Sequence, residues 1–271
     1  MPRDPRIILG GGFILLLMFA AVFAPVISPA DPLEQDLMLA TLPPLAEPGR
    51  YLGTDSLGRD VLSRLIHASR IALTVAFVAA SLAALLGTVL GLLAGYLGGW
   101  WDIVISRLIE IWMAFPPVLL SILLVAVLGA GLHSVIVAIV VIDWTRFARV
   151  VRAEAAQQAR LEYAEAAMAV GMGRSAILLR EILPNVLPVV LVLLSLEMGI
   201  AVIVEAILSF VGLSISSDAP TWGGMIAEGR QIIHQAWWVL VFPLVTLFLT
   251  VLAFNQLGDG LRQWLDPVLK R

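Results

Sequence analysis

The sequence predicts an all-α integral membrane protein with six transmembrane helices and with both termini in the cytoplasm. The first observation is composition: of 271 residues, 60% are hydrophobic and 14% charged, with a mean hydropathy of +0.98. Soluble domains carry roughly 25% charged residues. The second observation is a set of six apolar stretches near the length of about 20 residues that a spanning helix needs. The third is the distribution of basic residues, which gather in three regions of the chain. With six spans, all three regions lie on the same side of the membrane.

The six predicted spans follow one another along the whole chain. They are residues 7–27, 71–97, 103–128, 134–151, 185–210 and 237–257. Because backbone groups in lipid must satisfy their own hydrogen bonds, these spans are expected to pack as a helical bundle. A cleaved signal peptide is the alternative for the first stretch. That stretch is long for a signal, and Pro25, Ser28 and Pro29 make a poor cleavage site, so an uncleaved span is expected.

Three regions are predicted along the chain. Residues 1–68 hold the first span and an outward-facing segment, in which residues 53–70 are predicted to form a short amphipathic helix. Residues 69–258 form the main membrane domain with five helices and a cytoplasmic loop at 152–184, and residues 259–271 form a cytoplasmic tail.

Basic residues set the predicted orientation, because they stay on the cytoplasmic side. Six arginines crowd the connection between spans four and five, and both ends of the chain are also basic. These residues are Arg146, Arg149, Arg152, Arg160, Arg174 and Arg180, with Arg3 and Arg6 at one end and Arg262, Lys270 and Arg271 at the other. Segment 28–70 is predicted to face outward although it also carries four arginines, which is contrary to the usual cytoplasmic location of basic residues.

Two patterns inside the spans predict how the helices pack. Gly87, Gly91 and Gly95 recur every four residues in the second span, so they lie on one stripe that permits close helix–helix approach. Pro116 and Pro117 remove two backbone donors from the third span and predict a bend there.

Composition also excludes several classes of function. There are no cysteines, His67, His133 and His234 are far apart in sequence, and a net charge of −3 gives no argument for a nucleic-acid partner. Lys270 is the only lysine, so the chain has no phosphate-binding P-loop, and any ATP hydrolysis must come from another subunit. No catalytic constellation, metal site or cofactor motif is predicted. A stand-alone secondary transporter is the alternative class, although inverted repeats are not evident.

The connection between spans four and five reads LEYAEAAMAVGMGRSAILLREILPN from Leu161. It predicts a helix over residues 162–170, a break at Gly171 and Gly173, a second short helix over 174–183, and a new span opened by Pro184. Such an L-shaped element suits insertion into a groove on a partner. A solvated loop between spans is the alternative.

The spacing Glu165-Ala166-Ala167, three residues, Gly171, then Leu183-Pro184 resembles the EAA signature of type I ABC importer permeases. The Ile-Leu-Pro-Asn form at residues 182–185 is similar to the dipeptide/oligopeptide branch of that family. Glu181 departs from the family pattern, so no role is carried over to it.

The resemblance extends over nearly the whole chain. Further segments are similar to the C-type permease subunits of this branch: residues 52–64, 95–99, 114–116, 208–213, 220–223 and 254–262. Several ordered motifs at consistent spacing make a chance similarity improbable.

The resemblance implies the transmembrane domain of a type I ABC importer in the bacterial cytoplasmic (inner) membrane. It implies a homologous second permease, two cytoplasmic ATPase subunits that use ATP and Mg²⁺, an extracytoplasmic substrate-binding protein, and no cofactor of the chain's own. Di- and oligopeptides are the expected cargo, with nickel or glutathione as alternatives. The residues expected to contact the ATPase are Glu165, Ala166, Ala167, Gly171, Leu183 and Pro184.

Two further groups of residues are functional candidates. Glu110, Glu197 and Glu205 lie within predicted spans, where charges are costly, and could line the translocation path. The alternative is structural pairing, as between Asp143 and Arg146. Candidates for contact with the binding protein are Asp55, Arg59, Asp60 and Trp222, although Trp222 is favoured as a structural residue.

Overall fold

The computed structural model describes residues 4–215 and 219–265, and these residues form eleven α-helices and no β-strand. In chain order the helices are α1 (Pro5–Val22), α2 (Ala24–Ile27), α3 (Val61–Leu92), α4 (Gly99–Met113), α5 (Pro117–Leu128), α6 (Leu132–Gln158), α7 (Glu162–Ala169), α8 (Arg174–Ile177), α9 (Leu183–Phe210), α10 (Trp222–Gln231) and α11 (Trp237–Leu265). The predicted helical class is confirmed. Arg3, Lys270 and Arg271, which contributed to the predicted orientation, lie outside the described residues.

Helix α3 is the central element of the bundle, because it contributes to each of the three largest apolar clusters. The first cluster joins α3 to α1, α9 and α11 around Phe254. The second joins it to α6 and to the start of α9 around Phe147. The third joins it to α5, α6 and α9 around Ile139.

The predicted glycine stripe lies at the contact between α3 and α6. A Cβ atom on Gly91 would sit 2.7 Å from the carbonyl oxygen of Ala148, closer than real Cβ atoms approach. Cβ atoms on Gly87 and Gly95 would overlap other carbonyl oxygens of α6. The absence of side chains at these positions therefore allows the two helix backbones to touch.

The structure supports fewer membrane spans than the sequence predicts. Four helical segments of the described chain are long and apolar enough to cross a membrane, and a fifth is added if the bent pair α4–α5 counts as one span. The four are Pro5–Val22, Val61–Leu97, Arg174–Phe210 and Trp237–Leu265. Helix α6, predicted as the fourth span, is not among them because Asp143, Arg146 and Arg149 lie in its middle.

The bend predicted in the third span is confirmed and is sharper than a kink. Helices α4 and α5 meet at 88° across a break at Ala114–Pro116. Pro116 is extended, with φ −61° and ψ 120°, since the following Pro117 disfavours the α conformation in the residue before it.

The helix ends differ from the predicted boundaries at four places. Residues 53–60 form a loop rather than the start of an amphipathic helix, because Gly53 and Gly58 have positive φ angles of 78° and 74°. Helix α3 begins at Val61 and continues into the apolar stretch, so the division at residue 68 falls inside it. No break separates residues 174–183 from the following span, since a five-residue π turn at Leu178–Ile182 connects α8 to α9. Helix α11 also continues past residue 258 to Leu265.

We expect Gly91→Val to destabilise the protein by about 2 kcal/mol, because the new side chain must push α6 away from α3. Thermal unfolding of the purified protein in detergent would measure this change. Gly12→Val is the matched control, since Gly12 is exposed on α1 and a Cβ atom there would have no other atom within 4 Å. Equal midpoints for the two variants would contradict the packing role of the stripe.

Candidate functional site

Helix α7, which carries the EAA segment, turns one face to the bundle and the other to the surroundings. Ala164 and Ala167 are buried, and Ala167 belongs to the apolar cluster around Phe147. The opposite face exposes the two candidates Glu165 and Ala166. Two large apolar side chains are exposed at the end of the helix, Met168 by 53% and Val170 by 80%. An exposed surface of this kind is suited to a partner protein.

Gly171 ends α7 in a left-handed conformation, with φ +83°. The Met172 N–H donates to the Ala167 carbonyl at 3.1 Å, and the Gly171 N–H donates to the Met168 carbonyl at 3.0 Å. This is the Schellman arrangement, which requires a residue that tolerates positive φ. The sharp turn predicted at this glycine is therefore present, and it separates α7 from α8.

Leu183 and Pro184 lie where the π turn passes into α9. Leu183 is half-buried against the cluster around Phe147, while Pro184 is exposed. Pro184 has no N–H to donate to the preceding turn, which accounts for the wide π turn just before it. The side-chain amide of Asn185 donates to the Glu181 carbonyl at 2.7 Å and so closes the turn.

A cavity of about 630 Å³ opens between α6, α9 and α11, next to α7. Its floor is apolar and includes Val150, Val189 and Val192. Its polar lining residues are Glu154, Gln158, Asn185 and Arg262. The Tyr163 hydroxyl of α7 donates to the Gln158 side-chain oxygen at 2.6 Å, so α7 is attached directly to the wall of the cavity.

Glu197, a candidate for the translocation path, is buried and faces α6. Arg146 Nη1 lies 3.5 Å from Glu197 Oε2, and Arg146 Nε lies 3.7 Å from Asp143 Oδ1. One guanidinium therefore lies beside two buried carboxyl groups, and the predicted pairing of Asp143 with Arg146 is confirmed.

The two other acidic candidates have different surroundings. Glu205 is buried and accepts hydrogen bonds from the hydroxyls of Ser209 at 2.5 Å and Ser214 at 3.2 Å. Its second oxygen, Oε2, has no partner within the described residues. Glu110 is exposed on α4 and pairs with Arg107 at 2.5 Å.

Asp55 and Arg59 belong to a buried cluster of charges at the other end of the bundle from α7. Asp55 Oδ2 accepts from Arg59 Nε at 2.8 Å and also from Arg64. Glu228 of α10 completes the cluster, since it accepts from Arg59 Nη2 at 2.8 Å and from Arg64 Nη1 at 2.6 Å. These ion pairs tie the loop before α3 to α10.

Asp60 and Trp222, the remaining candidates for contact with a binding protein, are buried inside the chain. Asp60 caps α3 by accepting a hydrogen bond from the Ser63 N–H at 2.7 Å. Trp222 is 1% exposed, and its indole N–H donates to the Leu65 carbonyl at 3.2 Å. The structural interpretation of Trp222 agrees with this burial.

Sequence reasoning missed three residues of these sites: Arg64, Glu228 and Tyr163. Glu228 is separated from Arg64 by 164 positions, so no local spacing could have linked them. Tyr163 adjoins the EAA segment, and this adjacency is the one signal in the sequence that could have drawn attention to it. No group of three or more potential metal ligands occurs among residues 4–215 and 219–265.

An apolar helical bundle with an exposed EAA helix on a connecting loop defines the membrane-embedded permease subunit of an ABC importer. The chain belongs to the family described as binding-protein-dependent transport system inner membrane component, whose model matches residues 87–271. Residues 3–44 match a second model, the N-terminal TM domain of oligopeptide transport permease C. The protein is thus an inner-membrane translocation subunit, and its family implies ATPase and substrate-binding partners.

Two permeases named for peptide or glutathione transport are similar to this chain over almost its full length. The di/tripeptide transport system permease protein DppC of Pseudomonas aeruginosa (strain UCBPP-PA14) is 40% identical, over 95% of this chain and 86% of that relative. The glutathione transport system permease protein GsiD of Salmonella paratyphi A is 41% identical, over 99% of this chain and 88% of that relative.

Two solved structures share the fold. The inward-facing MetNI methionine ABC transporter matches with a TM-score of 0.61 at 20% identity, over 75% of this chain and 96% of that chain. A crystal structure of an amino acid ABC transporter with histidines matches with a TM-score of 0.58 at 17% identity, over 75% of this chain and 95% of that chain.

We expect Asp55→Asn to destabilise the protein by about 3 kcal/mol, because it leaves two buried guanidinium groups with one carboxylate between them. The midpoint of thermal unfolding in detergent would report the loss. Glu34→Gln, which neutralises an exposed carboxylate in the same part of the chain, should leave the midpoint unchanged. If both variants unfold like the parent, the charge cluster does not hold α10 to the loop.

Proposed function

We propose that this permease carries di- and oligopeptides across the bacterial cytoplasmic membrane and is driven by two separate ATPase subunits that use ATP and Mg²⁺. A homologous second permease would complete the translocation path, and an extracytoplasmic binding protein would deliver the peptide. The chain itself would need no cofactor, metal, catalytic residue or nucleic acid. The observation that carries the proposal is the exposed face of α7, attached to the bundle on its other face.

The proposed topology has six spans with both termini in the cytoplasm. Helix α6 has 27 residues, about 40 Å at the usual helical rise, which is enough to cross the hydrocarbon core. Its buried Asp143 is paired, as charges within a bundle usually are. A Cβ atom on Gly260 of α11 would meet Ile7 of α1, so the two ends of the described chain lie close together. Leu265 lines the same cavity as Gln158 and Asn185, which supports placing both ends on the side of α7.

Coupling to the ATPase is assigned to Glu165, Ala166, Ala167, Gly171, Leu183 and Pro184. In this proposal the exposed Glu165 and Ala166 meet the ATPase, together with the apolar side chains of Met168 and Val170. The other four residues shape the element: Ala167 seats α7 on the bundle, Gly171 makes the turn, and Leu183 and Pro184 form the junction with α9.

The acidic residues of the spans are proposed to act near the translocation path in different ways. Glu197 and Glu205 each have a buried carboxylate oxygen without a partner in the described chain, but Glu205 has no ion pair there and is the stronger candidate for contact with a cationic group. Glu197 shares Arg146 with Asp143, so its role would be to hold α6 against α9. Glu110 is exposed on α4 and would face either the second permease or the path.

The surface for the binding protein is proposed to lie over residues 53–64 and α10. Asp55, Arg59, Asp60 and Trp222 would support this surface from behind, since all four are buried. Glu228 is 36% exposed at the side chain and would be the charged group nearest to the partner.

Peptide cargo is favoured by two relatives named for di/tripeptide and glutathione transport. Both names refer to the transport of small peptides, so glutathione is the first alternative cargo. Nickel is the second. A binding measurement on the cognate binding protein would distinguish them.

We expect Glu165→Arg to abolish ATP-driven peptide uptake in vesicles that contain the full set of subunits, because it reverses the charge at the proposed ATPase contact. Uptake of a labelled dipeptide and ATPase stimulation by the loaded binding protein would be measured together. Glu162→Arg is the matched control, since it makes the same exchange on the first turn of the same helix.

Wild-type uptake by the Glu165→Arg complex would contradict the proposal that Glu165 contacts the ATPase. Peptide uptake by vesicles that contain the permease without ATPase subunits would favour a secondary transporter instead.

We expect Gly171→Val to reduce uptake at least tenfold, because a β-branched residue is strained at φ +83° and would displace the end of α7. Gly173→Val should retain uptake, since Gly173 has φ −66° and open space around its Cβ position. Equal uptake by the two variants would show that the turn at Gly171 is not required.

A further inference from the structure

The Tyr163 hydroxyl is the polar group of α7 that faces the bundle and is not part of the EAA segment. Tyr163 is half-buried on the first turn of α7. Its hydroxyl donates to Gln158 Oε1 at 2.6 Å, and the side-chain amide of Asn185 also interacts with it. One hydroxyl group therefore joins α7 to the last turn of α6 and to the first turn of α9.

The hydrogen bonds continue beyond these two partners. Gln158 Nε2 donates to Glu154 Oε1 at 2.8 Å, one turn earlier on α6. Asn185 Nδ2 donates to the Glu181 carbonyl at 2.7 Å, within the π turn that precedes α9. The hydroxyl is thus hydrogen-bonded to a chain of side chains that runs along α6, and it interacts with Asn185, which is itself bonded to the turn before α9.

The same residues form part of the cavity between α6, α9 and α11. Glu154, Gln158 and Asn185 all line its wall, and the Tyr163 hydroxyl donates to Gln158 and interacts with Asn185. A displacement of α7 that preserves these bonds must therefore move the cavity wall with it.

The other inward contacts of α7 are poorly suited to this task. Ala164 and Ala167 present single methyl groups to the bundle, and such contacts resist sliding and rotation weakly. A hydrogen bond is directional and specifies the angle at which α7 lies on α6. Burial raises the pKa of the Tyr163 phenol, so the hydroxyl keeps its proton and remains the donor.

We propose that Tyr163 is a positioning residue, which transmits a displacement of α7 to α6 and α9 through Gln158 and Asn185 and so changes the shape of the cavity that they line. The inference rests on the proposed function, in which α7 receives its displacement from the ATPase.

Tyr163→Phe tests this in vesicles with the full set of subunits, a dipeptide-loaded binding protein and ATP. The quantity to measure is the number of peptides imported per ATP hydrolysed. The variant should still dock the ATPase and hydrolyse ATP, while imported peptide per ATP falls about fivefold, the change in equilibrium that one net hydrogen bond supports. Gln158→Met, which removes the acceptor, should give a similar loss, and the double variant should be no worse than either single one.

Tyr96→Phe is the matched control. Tyr96 is a half-buried tyrosine that packs on the apolar cluster around Phe147, to which Ala167 of α7 also belongs, and its substitution should leave the ratio unchanged. The inference is overturned if Tyr163→Phe keeps the wild-type ratio, or if the losses from Tyr163→Phe and Gln158→Met add. It is also overturned if Tyr163→Phe lowers thermal stability without changing the number of peptides imported per ATP.

A failure of this inference is distinguishable from a failure of the proposed function. In the first case Glu165→Arg abolishes uptake and Tyr163→Phe does not change the ratio. In the second case Glu165→Arg itself retains uptake.

Discussion

The backbone contact between α3 and α6 is the constraint on which the other elements depend. Gly87 and Gly91 of α3, and Gly95 one turn beyond its end, leave three gaps where α3 meets α6, and carbonyl oxygens of α6 occupy those gaps. This contact fixes the position of the second half of α6, between Trp144 and Ala156. The charged middle of α6 is thereby directed at α9, and its last turn is placed where Gln158 meets Tyr163 of α7.

Charges then fix the two ends of the bundle in different ways. Near α10, a cluster of two carboxylates and two guanidinium groups is largely closed within the chain, and pairs of this kind specify geometry more than they add stability. Near α7, the charged side chains Glu165, Arg174 and Arg180 are exposed. One end of the molecule satisfies its charges internally, whereas the other leaves charged groups available to a partner.

Sequence reasoning succeeded where one local pattern determines the structure. The glycine stripe, the break at Pro116 and Pro117, and the turn at Gly171 each follow from the conformational limits of glycine and proline. It failed where a boundary depends on distant contacts. Pro184 lies in the first turn of α9 as expected, yet no break precedes it, because the apolar cluster around Phe147 packs against residues on both sides and keeps the helix continuous. Likewise, the partner of Arg64 lies 164 positions away, and only the folded chain brings them together.

The continuous helix from Arg174 to Phe210 links the two ends mechanically. It has 37 residues, about 55 Å at the usual rise, and Asn185 near its start interacts with the Tyr163 hydroxyl. Near its far end, Gly223 of α10 lies so close to the Ala206 carbonyl that no side chain would fit between them. Helix α10 is in turn held to the loop before α3 by Glu228. One continuous helix thus runs from the neighbourhood of α7 to the contact with α10, and the π turn and Pro188 are two places where its regular hydrogen bonding is interrupted.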